Sequence, residues 1–184
     1  MSKVFGETQM FRYLIIAVIL FAFSLYTVQA GTDKASYFVG ITPSITAEPF
    51  YDAGEYDVNI FPLVYQKNIF NKIDVRITSI INYGIRKYEN KISHVGIEMA
   101  FPIQLFSQVL SRGLSEGFFI APILSIAQEQ IAKEKHFGLW IEPGYQFIVS
   151  RYYSMSLGLQ MGGTWIESDL TDHLGVNFII GRWF

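Results

Sequence analysis

The stretch from Ile73 to Ile85, IDVRITSIINYGI, is the clearest guide to the fold of this chain. Apolar residues occupy every second position over most of its length, and polar residues such as Asp74 and Arg76 stand between them. Successive side chains of a β-strand point to opposite faces, so this alternation predicts a strand with one apolar and one polar face.

Seven other stretches repeat this alternation, and turn-like residues separate them. Each is about 10 residues or longer, which is the length of a tilted strand that crosses a membrane. Eight consecutive strands with no helical pattern between them predict an all-β fold, an eight-stranded antiparallel up-and-down barrel. The other predicted strands are 37–47, 56–66, 94–105, 118–128, 137–149, 153–165 and 174–184.

The composition of the two faces indicates which of them lies outside. Charged residues make up 16% of the chain, against roughly 25% in a typical soluble domain. The apolar faces carry large aliphatic and aromatic side chains, whereas glycine and other small residues recur on the polar faces. Small residues suit the narrow lumen of an eight-stranded barrel, and large apolar residues suit contact with lipid. We therefore predict a transmembrane barrel, with a soluble lipocalin-like carrier as an alternative.

The N-terminal residues follow the order of a secretory signal peptide. Lys3 and Arg12 supply positive charge, an apolar run follows them, and Ala30 completes a cleavage site of small residues. The apolar run has about 14 residues, fewer than the roughly 20 that a membrane-spanning helix requires. We predict a signal peptide over residues 1–30 and a barrel over residues 31–184 that is exported to the bacterial outer membrane. A helical membrane anchor is the alternative.

The chain ends in Phe184, which closes an alternating strand. This ending resembles the assembly signal of bacterial outer-membrane barrels, and the eight predicted strands resemble the small barrels related to OmpX and the OmpA membrane domain. Arg182 departs from the apolar residue that is common at its position in that family. The resemblance implies a monomer that the barrel assembly machinery inserts, with outer-membrane lipid and lipopolysaccharide as its partners.

Charge and cysteine content exclude several other functions. The formal net charge is −2 and no basic stripe is present, which excludes a nucleic-acid partner. The chain has no cysteine, which excludes a disulfide framework and a thiolate metal site. We predict no cofactor.

Acidic residues mark two of the connections between strands. In the family's orientation both termini face the periplasm, so the first loop, 48–55, and the last loop, 167–172, face outside. Closure of the barrel would make them neighbours. Their charge predicts either a contact with divalent cations or lipopolysaccharide, or an ordinary solvated rim. The acidic residues are Glu48, Asp52, Glu55, Glu167, Asp169 and Asp172.

Polar residues on the inward faces predict a network inside the lumen. Charges buried there must be paired or hydrated, so the network would be a plug of ion pairs and water. The alternative is an ion path or gate, as in a porin. The residues of this predicted lumen network are Arg76, Glu98, Gln104, Glu142 and Gln146.

The three histidines of the chain, His94, His136 and His173, all fall at predicted outer strand ends and point inward. They would lie at the mouth of the lumen. Histidine is a common metal ligand and general base, so their convergence on a metal or catalytic site is one hypothesis. Chance placement of polar residues at strand starts is the other, and no metal is assigned.

Five prolines fall inside predicted strands, where each lacks the N–H of a ladder hydrogen bond. They predict either bulges that curve the barrel or a weakened wall that admits a lipid tail from the side. In that feature alone the chain is similar to the outer-membrane lipid A palmitoyltransferase. We expect a non-enzymatic envelope-structural or surface-interaction role, with a lipid-modifying or lipid-binding barrel as the alternative and no catalytic residue assigned. The prolines are Pro43, Pro62, Pro102, Pro122 and Pro143.

Overall fold

The computed structural model describes residues 37–46, 52–70, 72–109, 114–130, 133–167 and 169–184. The predicted signal peptide lies outside these residues. All regular secondary structure in the described residues is β-strand. They include no helix long and apolar enough to cross a lipid bilayer.

Eleven strand segments form eight barrel strands, because three strands are each interrupted once. The continuous strands are β3 (Ile73–Ile85), β5 (Ser115–Glu129), β6 (Lys135–Ile148), β7 (Tyr153–Ile166) and β8 (Asp169–Trp183). The interrupted strands are β1 (Tyr37–Ile41 and Ile45–Thr46), β2 (Tyr56–Asn59 and Leu63–Phe70) and β4 (Lys91–Ala100 and Ile103–Val109).

Each strand pairs antiparallel with the next strand along the chain. The barrel closes where β1 pairs with β8, from Phe38 opposite Trp183 to Ile41 opposite Ile180. The prediction of an all-β, eight-stranded antiparallel up-and-down barrel is therefore confirmed. We call the end where β3 joins β4, at residues 86–90, the outer end of the barrel.

The strands carry polar residues inside the barrel and large apolar residues on its outer surface. On β3, Asp74, Arg76 and Thr78 are buried in the lumen, while Ile77 is exposed on the outside. The same alternation runs along β6, where Leu139 faces outward. This arrangement is the reverse of a soluble protein, whose large apolar residues are most often inside.

Two clusters of buried apolar residues share the lumen with the polar residues. The first cluster is formed by Phe38, Val64, Leu114, Ile179 and Trp183. The second cluster is formed by Ala100, Phe119, Ala121, Ile123 and Trp140. The first cluster lies at the end opposite the outer end, because residues 149–152 connect β6 to β7 beside it. The lumen is therefore closed at that inner end.

The break in β2 makes one predicted side-chain orientation wrong. An unbroken alternation over residues 56–66 predicts that Val64 points outward with Val58, but Val64 is fully buried in the first apolar cluster. The interruption at Pro62 changes the phase of the strand, because Asn59 and Val64 both face the lumen although they are five positions apart. Prolines thus do interrupt β1, β2 and β4, while Pro122 and Pro143 lie in continuous strands.

Side chains satisfy the backbone groups that the break at Pro62 frees. Oδ1 of Asn59 accepts a hydrogen bond from the backbone N–H of Phe61, at 3.1 Å. Oγ of Ser79 accepts from the N–H of Leu63, at 3.0 Å, and donates to the carbonyl of Phe61. Ser79 is the one outward position of β3 where the apolar alternation fails, and these bonds explain why a hydroxyl is needed there.

Replacement of Ser79 should therefore weaken the barrel. We expect Ser79→Ala to lower the free energy of unfolding by about 1–2 kcal/mol, because Leu63 and Phe61 lose their side-chain partner. Urea unfolding of the protein refolded into lipid vesicles measures this change. Ser156→Ala is the control, since no described residue forms a hydrogen bond with its hydroxyl. Equal losses in the two variants would contradict the role given to Ser79.

Candidate functional site

An ion pair spans the middle of the lumen. Arg76 extends from β3 and Glu142 from β6, and Nη2 of Arg76 lies 2.8 Å from Oε1 of Glu142. Each side chain is only 1% exposed. Because a buried charge without a partner is costly, this contact stabilises both groups in the closed barrel.

Neutral side chains complete the environment of Glu142. Its Oε2 accepts hydrogen bonds from Nε2 of Gln160, at 3.0 Å, and from Nδ2 of Asn177, at 2.8 Å. Oδ1 of Asn177 in turn accepts a bond from Oγ1 of Thr42, at 2.7 Å. The carboxylate therefore links β3, β6, β7, β8 and the start of the break in β1. We call Arg76, Glu142 and these three partners the central network.

Glycines provide the space that these large inward side chains occupy. A Cβ on Gly158 would lie 2.5 Å from Cγ of Glu142, which Arg76 and Gln160 hold in place. A Cβ on Gly138 would lie 2.5 Å from the ring of Trp140. The glycines of the polar faces are thus positions of close approach.

Glu98 lies beside the central network but is not part of it. It extends from β4 into the lumen, is 7% exposed, and interacts with the charges of Arg76 and Glu142 and with the side chain of Gln160. No described residue forms an ion pair with Glu98. Among the described residues, the centre of the lumen therefore holds the carboxyl groups of two glutamates and one guanidinium.

The structure brings together three of the five residues of the predicted lumen network. Arg76, Glu98 and Glu142 meet, whereas Gln104 and Gln146 are buried nearer the inner end. Nε2 of Gln146 donates to the carbonyl of Ser115, at 2.8 Å, and Oε1 of Gln104 has no hydrogen-bond partner among the described residues.

Three members of the central network were not predicted from the sequence. Thr42, Gln160 and Asn177 all occupy inward positions of alternating strands, and that periodicity was the available signal. Periodicity assigns a face to each residue, but it does not indicate which residues on different strands lie at the same depth.

A second polar cluster lies at the outer end of the lumen. Oδ1 of Asp57 lies 2.6 Å from Nη2 of Arg86. Its Oδ2 accepts from Oγ of Ser93, at 2.8 Å, and lies 3.1 Å from Nδ1 of His94. Asp57 is therefore fully engaged by groups of the protein itself.

The three histidines face one cavity but do not converge on one point. The rings of His94 and His136 lie 5.1 Å apart between centroids, while His173 stacks on Trp140 with a centroid distance of 3.9 Å. Among the described residues, no three His, Asp or Glu side chains are grouped so as to hold a metal ion.

The last of the two predicted acidic loops is shorter than the sequence indicated. The ladder between β7 and β8 continues to Ile166 opposite Asp169, so the loop predicted over residues 167–172 is wrong in extent. Only residues 167 and 168 remain between the strands, and Asp169 and Asp172 are exposed residues of β8.

The remaining acidic residues of the two predicted loops have different surroundings. Glu55 lies 3.8 Å from Arg86 and also accepts a hydrogen bond from the backbone N–H of Lys87, so it belongs to an ion pair. Asp52 is exposed before β2, and Glu167 occupies a left-handed turn position with φ of 56°. Glu48 lies outside the described residues.

A cavity of about 430 Å³ occupies the outer half of the lumen. Glu98, Gln160 and Asn177 of the barrel centre line it, and the histidines and Asp57 line it nearer the outer end. We call this space the outer cavity. The central network and the first apolar cluster lie below the cavity, which therefore opens toward the outer end, and its lining also includes the exposed Leu174 and Val176 of β8.

These features define the protein as a small, closed, eight-stranded antiparallel β-barrel with a polar centre and an apolar exterior. Comparison with known proteins finds no matching family model, no similar curated protein and no similar solved structure.

Removal of one partner of the central ion pair should be strongly destabilising. We expect Arg76→Met to lower the free energy of unfolding by about 3–5 kcal/mol, because Glu142 is left buried without a cation. The double variant Arg76→Met/Glu142→Gln should lose less than the sum of the single variants, with a coupling of about 1–3 kcal/mol.

A double-mutant cycle by urea unfolding measures that coupling. The exposed pair of Lys91 and Glu89 supplies the control, and Lys91→Met should change stability by less than about 1 kcal/mol. Strict additivity of Arg76→Met and Glu142→Gln would contradict the assignment.

Proposed function

We propose that the mature chain is a bacterial outer-membrane barrel with a non-enzymatic role in envelope structure or surface interaction. The observation that carries this proposal is the exterior of the barrel, where most of the thirty exposed large hydrophobic side chains of the described residues lie. A water-soluble monomer rarely exposes so large a continuous apolar surface, whereas a bilayer accommodates it without cost. The antiparallel ladders of a barrel also satisfy wall hydrogen bonds internally, as lipid requires.

Aromatic residues at both ends of the barrel support the same proposal. At the outer end Phe137 and Trp165 lie side by side on the exterior, with ring centroids 6.0 Å apart. At the inner end Phe118 packs edge-on against Tyr145, at 4.8 Å. Aromatic rings at two levels are typical of membrane barrels, where they lie at the two lipid–water interfaces.

Two features of the sequence support export of the chain to the outer membrane. The predicted signal peptide over residues 1–30 and the terminal Phe184, with the eight-strand count, resemble barrels of the OmpX and OmpA type. In this proposal the barrel assembly machinery inserts the chain as a monomer, and outer-membrane lipid and lipopolysaccharide surround it. The filled centre of the lumen supports a structural or surface role rather than a conducting one, because the Arg76–Glu142 pair lies across it.

Export and insertion can be tested together. In a Gram-negative host we expect the protein in the outer-membrane fraction. Its intact mass should equal that of a chain whose first residue is Gly31. It should show heat-modifiable gel mobility after detergent extraction and no steady conductance in a planar bilayer. A folded protein in the soluble periplasmic fraction would overturn the membrane assignment, and a steady conductance would overturn the non-conducting role.

One observation favours a second candidate, a barrel that binds or modifies lipid through its wall. Among the described residues the pairing of β1 with β8 ends at Ile41. Leu174 and Val176, on the outer face of β8, nevertheless line the outer cavity together with the inward Asn177. They are 77% and 70% exposed. An acyl chain could lie against these residues while its polar head reaches the cavity.

Lipid A decides between the two candidates. The structural role predicts identical lipid A from cells that express the protein and from cells that lack it, compared by mass spectrometry. An added or missing acyl chain that depends on the gene would favour the lipid-modifying candidate. A Leu174→Asp variant is the control, because a charge at that exposed position should abolish such a change without entering the lumen.

A further inference from the structure

The outer cavity has the dimensions of a small-molecule site. Its volume of about 430 Å³ falls within the roughly 300–1,000 Å³ of typical ligand pockets. It is formed by strands of a closed barrel, so its shape is present before any ligand arrives. The outer end gives it access to the surroundings.

The floor of the outer cavity has more acidic than basic side chains among the described residues. Of the three ionisable groups that the described residues place at the barrel centre, Arg76 alone is basic, and its Nη2 bonds to Glu142 at 2.8 Å. Glu98 lines the cavity without an ion-pair partner among the described residues. A carboxylate buried in this way is stabilised by a cation that enters the cavity.

The other charged group of the cavity is already compensated. Asp57 contacts Arg86, Ser93 and His94 near the outer end. A ligand would therefore find one carboxylate available, at the floor, and not a general acidic patch. None of the described residues that line the cavity is Lys or Arg, and Arg76 at the barrel centre already bonds to Glu142.

The walls of the cavity suit a planar cation that donates hydrogen bonds. Trp140 and His173 form a stacked aromatic pair on one side, and aromatic rings attract cations. Ser125, Gln160 and Thr164 add oxygen acceptors around the cavity. An amidinium or guanidinium group presents two parallel N–H donors that match a carboxylate.

From these features we propose that the outer cavity binds a small amidinium or guanidinium cation, with Glu98 as its counter-ion. The proposal adds a ligand class that the envelope role does not require. It depends on the closed barrel and not on the membrane in which the barrel is placed, so either proposal can fail without the other.

Benzamidine and benzamide form a matched pair of probes, because they share a shape and differ in charge. Calorimetric titration of the folded, detergent-solubilised mature protein at neutral pH should show saturable binding of one benzamidinium per barrel. Benzamide should bind about tenfold more weakly or worse, as expected when a charge-assisted hydrogen bond is lost. Glu98→Gln should weaken benzamidinium binding by a similar factor.

Two further variants separate the site from its surroundings. Glu89→Gln makes the same chemical change at an exposed outer-end position outside the cavity, and it should leave the affinity unchanged. Ala127→Phe fills the cavity without a change of charge and should abolish binding. Heat-modifiable mobility verifies that each variant is folded.

Three results would overturn the proposal. They are the absence of saturable benzamidinium binding to the folded protein, equal affinity for benzamide, and an affinity that Glu98→Gln leaves unchanged in a folded barrel. If Glu98→Gln fails to fold, Ala127→Phe and the benzamide comparison still decide the question, because neither alters the charge at the floor.

Discussion

The narrow lumen of an eight-stranded barrel is the constraint on which the rest of this structure depends. Eight inward faces meet in a space that side chains can just fill, so a large residue on one strand requires a small one nearby. Glu142 occupies its position because Gly158 has no Cβ, and Trp140 occupies its position because Gly138 has none. The few large inward residues therefore fit in the lumen because glycines lie beside them.

That packing divides the interior into layers with different chemistry. Apolar residues such as Phe38 and Trp183 close the inner end, the Arg76–Glu142 pair crosses the middle, and a polar space remains above it. Charged groups inside and large apolar side chains outside are the reverse of the arrangement in a typical soluble protein. Hydrogen bonds from other side chains offset the cost of burying these charged groups in the barrel.

Periodicity was enough to predict the fold, and it failed where backbone irregularity intervened. The strand from Ile73 to Ile85 has the bounds that its alternation indicated, and the count of eight strands is correct. Val64 was assigned to the wrong face because Pro62 shifts the phase of β2. Asp169 was assigned to a loop because charged residues near a strand end look like loop residues in a sequence.

The interior was less predictable than the wall. Inward positions of Arg76 and Glu98 follow from alternation, but the meeting of residues from β3, β4 and β6 depends on strand register and tilt. Those quantities are set by turn lengths and by the breaks at prolines, which a single sequence does not specify. For this reason the sequence did not indicate that Gln160 and Asn177 are partners of Glu142.

The closing ladder between β1 and β8 has a mechanical consequence. Over the described residues it joins four residue pairs, whereas β7 and β8 share fourteen. Because so few pairs join these two strands, we expect the wall to open more readily here than along the long ladder between β7 and β8. Backbone amide protons beside this short ladder should therefore exchange with solvent before those of the ladder between β7 and β8.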